Sequence, residues 1–140
     1  MGHFYASLLT SAVVVICILI HYEALNLLNK LVRKFRTHRN SLLFALYGLF
    51  IAHIIEIWVF AGGYAIAYEW LSLGQLHPAP ETWFDYAYYS AMVYTTVGFG
   101  DVLPVGAIRV LTMAEALAGL SLITWSASFT FLEMQRLWRH

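Results

Sequence analysis

The run Tyr88-Tyr89-Ser90-Ala91-Met92-Val93-Tyr94-Thr95-Thr96-Val97-Gly98-Phe99-Gly100-Asp101 holds the residues whose types and spacing can do chemistry. Gly98 and Gly100 alternate with larger residues, and glycine takes up positive φ at little cost. Such positions let consecutive carbonyls point one way, and carbonyls aimed at a common axis can replace the water around a cation. This is coordination by backbone rather than catalysis. No Cys/His metal spacing, no phosphate loop with its lysine and no nucleophile with a base at readable spacing is present. No enzymatic activity, no organic cofactor and no nucleic-acid partner is therefore expected.

A loop of this kind needs elements that hold it inside a membrane. Of 140 residues, 61% are hydrophobic, 16% aromatic and 11% charged, and the mean hydropathy is +0.68. These values lie outside the range of ordinary soluble domains, and the chain reads as an all-α integral membrane protein. A hydrocarbon core of about 30 Å takes about 20 helical residues to cross. Three runs are long enough: Phe4–Leu28, Ser41–Leu71 and Val105–Leu132. The first has no basic stretch before Phe4 and no small-residue cleavage site, so it is expected to be a mature span rather than a signal peptide. The second exceeds one crossing and is expected to tilt, protrude or bend near Gly62-Gly63. Cys17, the single cysteine, lies within an apolar run and has no partner for a disulfide.

Lys30, Arg33, Lys34, Arg36 and Arg39 lie between the first two spans, and Arg136 and Arg139 follow the third. Basic residues in short loops stay on the cytoplasmic side, which puts the C-terminus inside and the N-terminus outside. The five linker residues also suit anionic lipid headgroups. Lys30, Arg33, Arg36 and Arg39 recur every third residue, as in a voltage-sensing helix, but Lys34 and His38 intervene and one extra span cannot form a four-helix sensor. A solvated linker facing lipid phosphate accounts for them. The outer region carries Glu81, Asp85 and Asp101, with Glu69 close by and only Arg109 opposing. An acidic mouth of this kind raises the local cation concentration.

The residues between the second and third spans are the informative part. "LGQLHPAPET" reads as a plain loop, and Trp83–Thr95 as an aromatic helix too short to span. Glu81 and Asp85 near its start suit a helix N-terminus. A short helix entering from outside, followed by non-helical backbone that returns to the same side, is a re-entrant segment. Such backbone persists at membrane depth only when buried in protein or lining water.

Thr96-Val97-Gly98-Phe99-Gly100-Asp101 resembles the selectivity filter of the potassium-channel superfamily, with Phe in place of the commoner Tyr. The resemblance continues through Thr95, the aromatic pair Tyr88-Tyr89, Pro104 and Gly119, and covers roughly Ser41–Arg139. It is to a small prokaryotic-type pore-loop channel, two transmembrane helices plus a pore segment, with an extra N-terminal span. It implies an extra helix at 1–29, a basic cytoplasmic linker at 30–40 and a pore domain at 41–140. Within the last would lie an outer helix 41–71, a turret 72–82, a pore helix 83–95, a filter 96–101 and an inner helix 105–136.

The same resemblance implies a homotetramer in the plasma (inner) membrane, each chain supplying one quarter of a pore. K+ ions would be held by Thr96, through hydroxyl and carbonyl, and by the carbonyls of Val97, Gly98 and Phe99, with Gly98 and Gly100 absorbing the backbone strain. Val97 and Phe99 side chains would pack against the pore helix. Thr95, Asp101, Tyr88, Tyr89 and Met92 would support the filter; Phe99 lacks the phenolic hydroxyl, the tyrosine pair stands where many members carry tryptophans, and Met92 where some hold a glutamate. Gly119 would be the gating hinge. Leu120, Ile123, Thr124, Ala127, Ser128 and Phe131 would approach the cavity, with Phe131 as a constriction, though small residues here equally suit helix packing. The implied function is passive, potassium-selective conduction. A weakly selective monovalent cation channel and a non-conducting regulatory subunit with the pore fold are the alternatives.

Ionisable groups inside spans are costly and are functional candidates. His53, Glu56 and Glu115 are read either as a proton-sensitive cluster behind the filter or as a hydrogen-bonded tie between outer and inner helices. His21 and Glu23 are expected at the interface, near the cytoplasmic end of the first span.

Overall fold

The computed structural model describes residues 1–34 and 40–138. Helix α1, Gly2–Lys34, is apolar around its circumference, yet the residues it buries recur at every third or fourth position: Ala6, Thr10, Val13, Cys17, His21, Leu25, Leu28 and Val32. That spacing is one face of a helix packed on a neighbour. Leu8, Val15 and Leu19 on its other faces stay exposed, as lipid contact requires. Arg33 and Lys34 occupy its last turn, where the helix dipole favours cations. Arg36, Arg39 and Arg139 lie outside the described residues.

Helix α2, Asn40–Ala65, buries Ala45, Leu49, Ala52, Glu56 and Phe60 along one stripe. It stays helical through Gly62-Gly63 and changes to π geometry shortly after them, at Ile66–Trp70. Gly63 lies against Val13 of α1 and Leu111 of the last helix, a close contact that its lack of a side chain permits. That last helix, α4, covers Arg109–Trp138. In α1, in α2 with its π extension, and in α4, the most apolar windows have mean hydropathy 2.2, 2.1 and 1.4, each enough for a membrane span. The low value for α4 reflects the hydroxyl residues and Glu115 within it.

Between α2 and α4 the chain makes a small sheet and a short helix. Strand β1, Gly74–His77, pairs antiparallel with β2, Leu103–Gly106, placing Leu76 opposite Pro104. The segment read as a plain loop thus contains a strand, and Val105, expected in the inner helix, belongs to β2. Helix α4 therefore starts at Arg109, after Ile108 N–H has bonded to the Leu73 carbonyl at 3.1 Å. Leu76 is buried and anchors this sheet to the core. Helix α3, Trp83–Tyr94, has 12 residues, about 18 Å at 1.5 Å per residue, too short to span.

Tyr86, Tyr89, Ser90 and Tyr94 of α3 face inward. The three tyrosines join Phe60, Tyr64, Ile108 and Leu111 in one core. Gly2 lies beside Ala107, so the start of α1 and the start of α4 share one end of the molecule.

Candidate ion-coordination site

The entry to α3 is fixed by a carboxylate. Asp85 Oδ2 accepts hydrogen bonds from Thr82 N–H at 2.7 Å and Glu81 N–H at 2.8 Å, with the Thr82 hydroxyl at 3.1 Å. These backbone donors hold the Asp85 carboxyl below its ordinary range. At the other end, Thr95 N–H and Oγ1 both donate to the Ala91 carbonyl, at 3.1 and 2.7 Å. Thr96 N–H then bonds Val93 O at 2.9 Å, and Gly98 N–H reaches back to Met92 O at 3.0 Å. The segment after α3 is thus strung from the last carbonyls of that helix.

Its backbone alternates. Thr96, Gly98 and Gly100 have φ of +60°, +52° and +78°, while Val97 and Phe99 between them do not enter positive φ. Alternating hand at successive residues is the condition for consecutive carbonyls to share a direction. The two glycines announce this in the sequence; Thr96 does not, and a threonine in the left-handed region stores about 1–2 kcal/mol. Strained residues of this kind cluster at ligand sites.

Every residue from Thr95 to Asp101 is exposed. Val97 and Phe99, expected to pack on the pore helix, are 54% and 71% exposed, because a single chain gives this segment only one wall. Phe99 nonetheless borders a cavity of about 170 Å³ together with Tyr88, Met92 and Asp101. Tyr88 donates to Asp101 Oδ2 at 2.7 Å, tying the outer end of the segment to α3 and raising the Tyr88 phenol above its usual value. Tyr89, its neighbour, turns elsewhere: its hydroxyl meets Thr112 Oγ1 of α4 at 3.0 Å. The two members of the aromatic pair therefore brace different elements.

Behind the segment lie two separate buried carboxyl networks. Glu115 of α4 accepts from Ser90 of α3 and Tyr64 of α2, each at 2.5 Å. Glu56 of α2 accepts from Tyr94 and contacts His53 Nδ1 at 3.1 Å and His21 Nδ1 at 2.9 Å. His53 and Glu56 are brought together as the sequence suggests, while Glu115 bonds elsewhere. His21 contradicts its expected interfacial place: it is fully buried, whereas Glu23 is exposed. The reason is register, since His21 falls one turn after Cys17 and one before Leu25 on the buried stripe of α1. That stripe was the available signal for it; Tyr94, Tyr64, Ser90 and Ser126 carried none.

Gly119 of α4 packs directly on the end of α3. A Cβ there would sit 2.1 Å from the Tyr94 carbonyl oxygen and 2.8 Å from its carbon, so only glycine allows this approach. Of the six residues assigned to a cavity, Ile123, Ala127 and Phe131 line a groove between α4 and α2 together with Phe50 and His53. Leu120, Thr124 and Ser128 are exposed on α4, the last two bonded to their own helix at 2.7 and 3.1 Å.

A family model described as "Ion channel" matches residues 42–136, more than half of the chain. No curated protein and no solved structure matches it. The matched stretch runs from the first turn of α2 through the strained segment to the end of α4 and leaves α1 outside. With three membrane-spanning helices around a re-entrant helix and loop, the chain belongs to the pore-loop ion-channel family.

Proposed function

We propose that four copies of this chain enclose a potassium-selective pore, with the carbonyls of Thr96, Val97, Gly98 and Phe99 and the Thr96 hydroxyl as successive K+ sites. The observation that carries this reading is the alternation of positive φ at Thr96, Gly98 and Gly100 in a segment exposed along its whole length. A backbone strained in this way and left without side-chain cover has a purpose if its carbonyls meet those of other copies around an ion. Four copies are needed because one short loop cannot surround a cation, and channels of this family act as membrane oligomers.

Orientation follows from charge. Lys30, Arg33 and Arg136 would face the cytoplasm, where the basic end of α1 can bind anionic lipid, and the acidic mouth with Glu81, Asp85 and Asp101 would face outward. In a plasma (inner) membrane this geometry conducts K+ down its gradient without coupling to chemistry. Gly119 serves as contact point and pivot between α4 and α3, and Leu120, Thr124 and Ser128 face the central cavity.

Purified protein in liposomes tests the proposal. A potassium gradient should drive flux that sodium does not support and that external barium blocks. Equal sodium flux would replace it with a weakly selective cation channel. Absence of flux from a folded oligomer would replace it with a non-conducting subunit.

A further inference from the structure

The cluster behind the filter has an uneven count of donors and acceptors. His21 Nδ1 lies 2.9 Å from Glu56 Oε1 and His53 Nδ1 lies 3.1 Å from Oε2. On their far sides, His53 Nε2 and His21 Nε2 both face Ser126 Oγ of α4, at 2.9 and 3.4 Å. Four side chains from three helices thus close a ring. If both imidazoles are neutral and donate Nδ1–H to ionised Glu56, both Nε2 atoms become acceptors. Ser126 has one hydroxyl proton and can serve only one of them. The ring is left one hydrogen-bond donor short, and the Tyr94 hydroxyl, 2.9 Å from His53 Nδ1, lies on the Nδ1 side and does not supply it.

We propose that His21, His53 and Glu56 form a binding site for a first-row transition dication of the Zn²⁺ class. One ligand atom from each residue lies within 4.8 Å of the other two. Two imidazoles and a carboxylate are the donor set that such ions take, and a tetrahedral ion with bonds of about 2.0–2.1 Å sets its ligands about 3.3 Å apart. Each histidine already lies near that distance from one carboxylate oxygen, His21 from Oε1 and His53 from Oε2, and binding must draw the two rings toward a shared ion. Coordination through Nδ1 also fixes both rings as Nε2–H tautomers. Ser126 Oγ has two lone pairs and can accept from both, which completes the count and gives each ligand the outer hydrogen bond that orients a metal-bound histidine.

The site has a route in. His53 and Ser126 both line the groove between α2 and α4, a space of about 460 Å³, while His21 and Glu56 lie fully buried behind them. A bound ion would join α1, which lies outside the family match, to α2. Through the Tyr94 hydroxyl on Glu56 it would also brace the end of α3, two residues before Thr96. The first span would then be coupled to the filter by coordination, beyond the apolar contacts of its stripe.

Titration of untagged, detergent-purified full-length protein with Zn²⁺, by calorimetry and by thermal melting, tests the site without any measurement of flux. Failure here is thus distinct from failure of the conduction reading. One Zn²⁺ should bind per chain and raise the melting temperature, and Co²⁺ should give the visible absorption of a four-coordinate nitrogen–oxygen site. His21→Gln and His53→Gln should each abolish the melting shift, Ser126→Ala should weaken binding by about 10-fold or more, and His77→Ala and Cys17→Ser should leave it unchanged. Because a histidine variant can fail to fold, the wild-type Co²⁺ spectrum carries the test independently. The proposal is overturned if wild type shows neither the melting shift nor the Co²⁺ band, as a ring completed by a proton alone would behave, or if folded His21→Gln and His53→Gln bind as wild type does.

Discussion

Two regions divide the chemistry of this chain: the strained segment Thr96–Asp101 and the polar cluster around Glu56. The first is exposed from end to end, with Phe99 71% exposed, and relies on backbone groups that one chain leaves unopposed. The second is largely buried, with His53 partly exposed, and gives its carboxylate partners from α1, α2 and α3 of the same chain. In the proposed pore the segment is completed by other copies, whereas the cluster draws its groups from one chain. Substitutions in the segment should therefore damage function more than stability, and substitutions in the cluster the reverse.

The largest expected effect is on function at the segment. Gly98→Ala places a Cβ that meets nothing within 4 Å, but at φ +52°. The strain is about 1–2 kcal/mol, so the fold should persist by circular dichroism and thermal melting while potassium flux is abolished. Conduction by the folded variant would break the comparison.

Next comes stability at the cluster. Glu56→Ala removes the acceptor shared by His21, His53 and Tyr94, and should cost about 3–5 kcal/mol in denaturant unfolding, the usual cost of orphaning a buried polar network. Phe99→Ala, at the exposed segment, should change stability far less in the same measurement. Similar losses for the two would erase the distinction between the cluster and the segment.

Gly119→Ala sharpens the boundary between the regions, since its Cβ would collide with the Tyr94 carbonyl. A cost of about 1–3 kcal/mol is expected for overpacking at such a contact. Amide hydrogen exchange should show the loss at the end of α3 as well as in α4; a loss confined to α4 would mean that the contact does not brace the strained segment.

The smallest effect lies at the entry to α3. The Asp85 carboxyl is held below its ordinary value by the Thr82 and Glu81 amides, so the stability it contributes is complete above about pH 4, the unfolded carboxyl value. It is lost as pH falls through the lower folded value. Hydrogen exchange at the start of α3 should rise across that interval in wild type and stay flat in Asp85→Asn.

The sequence made the segment legible because backbone requirements write themselves into residue choice: Gly98 and Gly100 mark positions where other residues would be strained. Spans were legible because hydrocarbon thickness sets their length. The β1–β2 pair was not, since four-residue strands with Pro104 in one of them carry no readable alternation, and their pairing joins residues far apart in the chain. His21 was misplaced for a related reason: its partner Glu56 is 35 residues away, and only the stripe on α1 hinted that it faced inward. Gly119 reads in the sequence as a hinge, whereas the collision that demands glycine there depends on Tyr94, which no local pattern links to it.

The central claim is that the carbonyls of Thr96 to Phe99 from four copies bind permeant cations. Anomalous scattering from crystals of the assembled protein grown with Rb+ tests this most directly. Discrete peaks spaced along a fourfold axis, each ringed by those carbonyls, are the predicted result. An assembly without a fourfold axis through this segment, or an axis with no Rb+ between Thr96 and Phe99, would contradict it.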